Sequence, residues 1–424
     1  MWQRLSTFRR GFASTFALNV FARGLSAVAT VLLLRSLSVE NFAYVVLFLN
    51  VGQFAGSALT GGMRMRYMRV EAERVSRGGS EQTGFALAWA ASMALVLGVA
   101  AFFLVGLNLV QPAPAGHSEL DFVVLAAAFT AGHASVELAI YHYQAHLKFI
   151  RAGIIDVARG GAILAAALVA ELGIVESGPK VAACTAGAVL LVALIPCLPL
   201  ARATLHARPL RAIAGDFGRE SGWLTLYFLS SAGFAYATIF IIALGLDDEA
   251  VASYGAALRY MSIIFGPFPA LMAVLRVRSS QQDIVDSTKL QLSMLARWIE
   301  RAGPLVALVL VLTAVAAPLV IPVIDAGRYP ETVAIFQIML ISAFFEYTMM
   351  PGPNLLLSQR RYQLLAGVYT VALAVQLLVV GLVASVEGVI VVTAASTAVR
   401  SVAWVMITFL ATRVPMREAP QASP

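Results

Sequence analysis

Predominantly apolar stretches of about twenty residues or more recur along this chain from residue 12 to residue 411, and such a pattern has one solvent in which it can fold. A helix needs about 20 mostly apolar residues to cross roughly 30 Å of hydrocarbon. Twelve segments meet that length: residues 12–35, 41–62, 84–108, 121–146, 152–174, 180–201, 222–245, 251–275, 303–325, 332–357, 362–384 and 388–411. The sequence therefore predicts an all-α integral membrane protein of about twelve transmembrane helices. Composition agrees: 60% of the 424 residues are hydrophobic and 12% are charged, against about 25% charged in soluble domains. No stretch is long or polar enough for a separate soluble domain.

The connections give the orientation. Taking every second one from the N-terminal tail, one side collects twenty-three Lys and Arg residues and the other three, Arg35, Lys180 and Arg328. This positive-inside bias predicts that both termini are cytoplasmic and that the protein is multi-pass in the cytoplasmic (inner) membrane. The net charge of +7 is thereby read as topology, and no nucleic-acid partner is expected. The basic segment Met1 to Arg10 shows no convincing cleavage site and is expected to be retained. External connections are short, as at Leu246 to Ala250 and Ala384 to Gly388. The longer basic connections, Arg64 to Gly84 and Arg276 to Arg301, mix basic and apolar residues and are expected to form amphipathic helices at the inner surface. Cys184 and Cys197 have no spacing for a metal site or a disulfide and are expected to face lipid or pack.

The basic stretch Arg202 to Arg219 divides the chain into two sets of six spans, residues 1–210 and 211–424, as in transporters built from related halves. Glu40, Ala43 and Tyr44 open the second span, and Glu249, Ala252 and Tyr254 echo them at the eighth. Spans three, six and nine carry almost no polar residues and are expected at the lipid-facing periphery, with the others around a central cavity.

Charges inside a membrane cost about 2.5–3.5 kcal/mol on insertion scales, so each is a functional candidate. Arg23 lies in span one, His133 and Glu137 in span four, Asp156 and Arg159 in span five, Arg259 in span eight, Glu346 in span ten and Arg400 in span twelve. His133, Glu137 and Tyr141 repeat every four residues and share a helical stripe. That stripe fits either a proton-responsive site or a buried hydrogen-bonded link between helices. Asp156 and Arg159, three apart, favour an ion pair. Arg23, Arg259 and Arg400 have no acidic neighbour at helical spacing, so each needs a partner on another helix, water or an anionic ligand. Arg23 has the alternative of snorkelling to headgroups. Glu346 precedes Pro351, Gly352, Pro353 and Asn354, which must break or kink span ten, either as a hinge or as a packing adjustment. No Walker motif, metal-ligand cluster, nucleophile elbow or redox motif is visible, so neither enzyme activity nor a cofactor is expected.

Several segments together resemble the polysaccharide-exporting flippases, including the Wzx-type translocases, of the multidrug/oligosaccharidyl-lipid/polysaccharide exporter superfamily. They are LLLRSLSVENFAYVV (Leu32 to Val46), GGMRMRYMR (Gly61 to Arg69), ASYGAALRYMSIIFGPFPAL (Ala252 to Leu271), DAGRYPETVAIFQIMLI (Asp325 to Ile341) and NLLLSQRRYQLLAG (Asn354 to Gly367). The resemblance implies two six-helix lobes around a cationic cavity and movement of a polyprenyl-pyrophosphate-linked oligosaccharide between leaflets. It places Arg259 in the pattern of span eight. Ala43, where relatives usually have Gly, and Leu275 and Arg276, where they often have Pro, depart from the family pattern. Implied partners are the lipid-linked substrate, membrane lipids, H+ or Na+, and glycan polymerase or glycosyltransferases.

Three function classes follow. A lipid-linked glycan flippase uses the cavity arginines Arg259, Arg23, Arg400 and Arg159 to meet anionic groups, with Glu137, His133, Asp156 and Glu346 as ion-coupling candidates. An ion-coupled exporter of small amphipathic molecules would prefer carboxylates for a cationic drug. A non-transporting scaffold for glycan-assembly enzymes would tolerate loss of the cavity charges. A glycan polymerase is disfavoured by the lack of a large external loop.

Overall fold

The computed structural model describes residues 2–77, 84–110, 119–204, 210–265, 276–277 and 284–413. The chain is a multi-pass membrane protein, and no strand occurs among these residues. In hydrocarbon every backbone N–H and C=O must be paired within the segment, which selects helices. They are α1 (Trp2–Ser36), α2 (Val39–Ser76), α3 (Phe85–Val110), α4 (Glu119–Ala145), α5 (Phe149–Glu171), α6 (Gly178–Thr204), α7 (Leu210–Gly245) and α8 (Asp248–Phe265), followed by α9 (Ile284–Arg297), a π-helical turn (Trp298–Ala302), α10 (Gly303–Ile324), α11 (Thr332–Met349), α12 (Pro351–Ser358), α13 (Tyr362–Ala384) and α14 (Val389–Arg413).

Among the described residues eleven spans are long and apolar enough to cross a membrane, with α11 and α12 forming one of them. The expected eighth span is represented by α8, 18 residues long; residues 266–275 of it lie outside the described residues.

The helices form two lobes whose internal packing repeats. In the first lobe α1 packs on α5, α4 on α6, α3 on α4 and α2 on α4; in the second α7 packs on α13, α11 on α14, α10 on α11 and α8 on α11. The correspondence of α2 with α8 extends to their first turns. The Ser38 hydroxyl accepts the Asn41 backbone N–H at 3.3 Å, and Asp247 accepts that of Ala250 at 2.9 Å. Each supplies an acceptor for otherwise unpaired N–H groups. Ser38 and Asp247, Glu40 and Glu249, and Ala43 and Ala252 are all 209 residues apart.

Two expectations are corrected here. The segment after Gly62 is no surface helix: α2 runs unbroken for 38 residues and buries Arg64, Met65, Tyr67, Met68, Glu71 and Ala72. Span six is only in part peripheral: α6 buries Val181, Ala182, Ala186, Val189, Ala193 and Cys197, largely against α4, while Leu191 and Ile195 stay exposed. By contrast α3 and α10 leave Leu97, Phe102, Val315 and Leu319 exposed, as expected of lipid-facing helices. Cys184 is exposed, and buried Cys197 lies 3.4 Å from the Ser135 carbonyl.

The lobes touch at both ends. At the basic end α2 lies along α7, where Gly61 and Gly62 bring the backbones together; a Cβ on Gly62 would stand 2.6 Å from the Thr225 backbone nitrogen. Met65, Met68 and Ala72 continue the seam with Leu224, Val277 and Tyr362, Arg69 donates to the Tyr362 hydroxyl, and Arg360 meets Glu73 at 3.3 Å. At the opposite end two arginines exchange helix termini. Arg35, at the end of α1, donates to the Ile324 and Val323 carbonyls of α10, each at 2.9 Å. Arg328 donates back to the carbonyls of Leu34, Arg35 and Leu37 at 3.2, 3.0 and 3.3 Å. Cations suit these positions because the last carbonyls of a helix lack intrahelical partners and carry its negative pole.

Candidate functional site

The intramembrane charges fall into three groups, which differ in whether they are compensated.

The first group joins α2, α4 and α5. Arg159 donates to Glu137 at 2.6 Å and to Asp156, three residues before it on α5, so the expected ion pair is part of a larger cluster. Its Nη1 also lies 3.2 Å from His133 Nδ1. Arg64 comes in from α2, with Nη1 3.7 Å from Glu137 and its guanidinium 5.7 Å from the centre of the Tyr141 ring. The stripe of His133, Glu137 and Tyr141 thus faces neighbouring helices. Close approach depends on Gly56, where a Cβ would fall 2.8 Å from the His133 ring. Arg64 and Arg159 balance Glu137 and Asp156.

The second group is one pair: Arg400 of α14 reaches Glu346 of α11 at 3.3 Å and lies 6.0 Å from the Phe234 ring centre. Glu346 stands just above the helix break that the prolines impose. Pro351 and Pro353 have no N–H for the carbonyls four residues earlier, those of Tyr347 and Met349. Trp298 Nε1 donates to the first at 2.8 Å and Thr408 Oγ1 to the second at 3.0 Å. The break is therefore held on both sides, which favours a packed bend over a free hinge.

The third group is Arg23 of α1 and Arg259 of α8, one from each lobe. Neither has a salt bridge among the described residues, and Arg259 Nη2 is buried without a hydrogen-bond partner. Arg23 lines a cavity instead of snorkelling. Two cavities meet along these arginines. One, of about 200 Å³, extends into the first lobe to His133, Glu137, Asp156 and Arg159. The other, of about 280 Å³, extends into the second lobe to Ser342, Glu346 and Arg400. Arg23, Gln53, Tyr236, Arg259 and Ser262 line both. Tyr236 donates to Gln53 at 3.3 Å across the lobe boundary.

Among the described residues, five arginines and three carboxylates thus line or adjoin the cavities, and the excess is Arg23 and Arg259. Sequence reasoning found seven of these eight charges but assigned Arg64 to a loop, since GGMRMRYMR has the arginine density of a connection. It also missed Gln53 and Tyr236, whose polarity alone sets no alarm on a helix.

No protein-family model matches this sequence, and no curated protein matches it. Solved structures do match by fold. A MATE crystallised in complex with MaL6 aligns with TM-score 0.71 at 15% identity, over 96% of this chain and 95% of that one. An outward-facing multidrug resistance MATE family transporter of the MOP superfamily aligns at 0.70 and 14%, over 96% and 95%. A MOP superfamily transporter from Pyrococcus furiosus, described by a binding pocket of reversed polarity that suggests a different function, aligns at 0.68 and 15%, over 96% and 95%. At these identities the likeness is one of fold: the chain has a MATE-like transporter fold.

Proposed function

We propose that this protein is a flippase that moves a polyprenyl-pyrophosphate-linked oligosaccharide repeat unit across the cytoplasmic membrane by alternating access, for surface polysaccharide biosynthesis. The observation that carries this reading is the pair Arg23 and Arg259, contributed by opposite lobes, lining both cavities and lacking carboxylate partners. A guanidinium presents a planar fork of donors that matches phosphate oxygens, and in a low-dielectric cavity such a contact is stronger than in water. A pyrophosphate offers the opposing charge, while its polyprenyl tail stays in the bilayer. Residues 1–210 and 211–424 act as the rocking lobes, both termini and the basic end face the cytoplasm, and the Arg35 and Arg328 contacts close the outer end. Arg159 and Arg400 already have carboxylate partners, so they serve to shape and tune the cavity walls. Glu137, His133, Asp156 and Glu346 are the groups through which H+ or Na+ coupling would act. Glycan polymerase or glycosyltransferases are the expected protein partners.

A second reading, export of small amphipathic molecules, draws support from the fold shared with a multidrug resistance MATE family transporter. The cationic excess argues for anionic cargo in that case.

The test is leaflet-resolved accumulation of polyprenyl-linked oligosaccharide in cells lacking the protein, complemented by wild type, Arg23→Ala or Arg259→Ala. Accumulation on the cytoplasmic leaflet, relieved by wild type and not by the variants, is the expected result. Normal surface glycan without accumulation overturns the flippase reading, and drug sensitivity in the same cells would then favour the exporter.

A further inference from the structure

Away from the cavity, at the basic end of the first lobe, two histidines and a carboxylate converge. His142 and His146 stand one helical turn apart on α4, a spacing that presents both rings on one face. Glu71 reaches them from the extension of α2. The ligand atoms of the three side chains all lie within 4.8 Å of one another, and Glu71 and His142 are 1% and 2% exposed.

We propose that Glu71, His142 and His146 form a divalent-metal site for an ion of the zinc class. Two imidazoles and one carboxylate are a donor set for zinc and its transition-metal neighbours and not for calcium or magnesium. Around an ion with bonds of about 2.0–2.1 Å, tetrahedral ligand atoms stand roughly 3.3 Å apart. His146 Nε2 and Glu71 Oε1 already stand at 2.8 Å, so the set closes by side-chain adjustment. The fourth position is left to water.

The surroundings contain the outer contact that such sites use. The Tyr67 hydroxyl lies 2.6 Å from His142 Nδ1, which fixes the ring and leaves Nε2 as the ligating atom. Phe85 stacks edge-on to the same ring at 5.5 Å. Against the metal stands Arg74, which donates to both Glu71 oxygens at 2.6 and 3.1 Å. In the metal-free site this guanidinium holds the carboxylate, and metal entry displaces it towards the helix end. Arg74 is thus a built-in competitor. Its neighbours on α2, Arg69 and Glu73, reach Tyr362 and Arg360 of the other lobe, so a metal here ties α4 to the segment that forms the basic-end seam.

The experiment uses the full-length protein purified in detergent without a polyhistidine tag, stripped of metal, and titrated with Zn2+ against a chromophoric chelator and with Co2+ by visible absorption. One Zn2+ per chain is expected, with a tetrahedral Co2+ spectrum. Removal of a ligand in His142→Ala or Glu71→Gln abolishes both, and Tyr67→Phe weakens binding by about 10- to 100-fold. Arg74→Gln tightens binding, a gain that misfolding cannot produce. Equal Zn2+ binding by wild type and the His142→Ala/His146→Ala double variant overturns the site. So does failure of both the wild type and Arg74→Gln to bind Zn2+, because the triad is then a metal-free ionic network.

Discussion

Gly62 lies where the backbones of α2 and α7 pack closely on the basic side, and adding one methyl group there gives a calculable disturbance. In Gly62→Ala the new Cβ would lie 2.6 Å from both the backbone nitrogen and the hydroxyl of Thr225, and 2.8 Å from its Cα. Non-bonded heavy atoms settle at about 3.5–4.0 Å, so α2 and α7 must part by roughly 1 Å. Rotating a side chain does not relieve this, since two of the three contacts are backbone atoms. Overpacking of this kind costs about 1–3 kcal/mol, and that cost falls only on the conformation in which the seam is shut. The equilibrium should move away from the shut seam by about 5- to 150-fold. Spin labels at Ser76 and Gln363, on either side of the seam, would report it as a longer and broader distance distribution, with Cys184 and Cys197 replaced beforehand. Gly98→Ala is the control: a Cβ there meets nothing within 4 Å, and alanine favours a helix over glycine by about 0.5–1 kcal/mol. Identical distance distributions in Gly62→Ala and wild type would refute the claim that glycine sets this contact.

Glu137→Gln leaves Arg64 and Arg159 short of a counter-charge in a buried cluster; loss of one partner of such a group costs about 3–5 kcal/mol. Asp156 remains on Arg159, so thermal unfolding should show the lower part of that range, and adding Arg64→Gln should recover part of it in a double-mutant cycle. Arg35→Ala with Arg328→Ala removes the exchanged helix-end contacts. Both residues are exposed, so screening reduces their worth to about 1–2 kcal/mol together, visible as increased separation of labels at Ser36 and Pro330. The same end should respond to pH. Burial raises the Asp325 carboxyl above the usual range, and burial together with Glu249 and Asp247 does the same for Glu331. A carboxyl with a raised folded pKa contributes stability below its unfolded pKa and loses it as pH rises through the folded value. Mild acidification from neutral should therefore raise the melting temperature, and Glu331→Gln should flatten that slope; an unchanged slope in the variant would exclude Glu331 as its source.

The spans were legible because apolar length has few alternatives in a chain that is 12% charged. The break in the tenth span was legible for a similar reason, since Pro351 and Pro353 cannot donate wherever they sit. Arg64 was not: it stands two residues past the end assigned to span two and opens a stretch that reads as a connection, and only packing shows that α2 carries it through the first lobe. Partners are the harder problem. Asp156 and Arg159 could be paired by spacing, whereas Glu346 and Arg400 are 54 positions apart, and nothing local announces their meeting. The status of Arg23 and Arg259 required the whole interior, because an uncompensated charge is defined by the absence of something elsewhere.

The helix break below Glu346 has a mechanical consequence. Its two freed carbonyls are taken by Trp298, at the mouth of α10, and by Thr408 on α14, so three elements are riveted at one point. A swivel has become a crank. Glu346 sits one residue from the first rivet, and a tug on the segment that enters α10 is delivered to the carboxylate that holds Arg400.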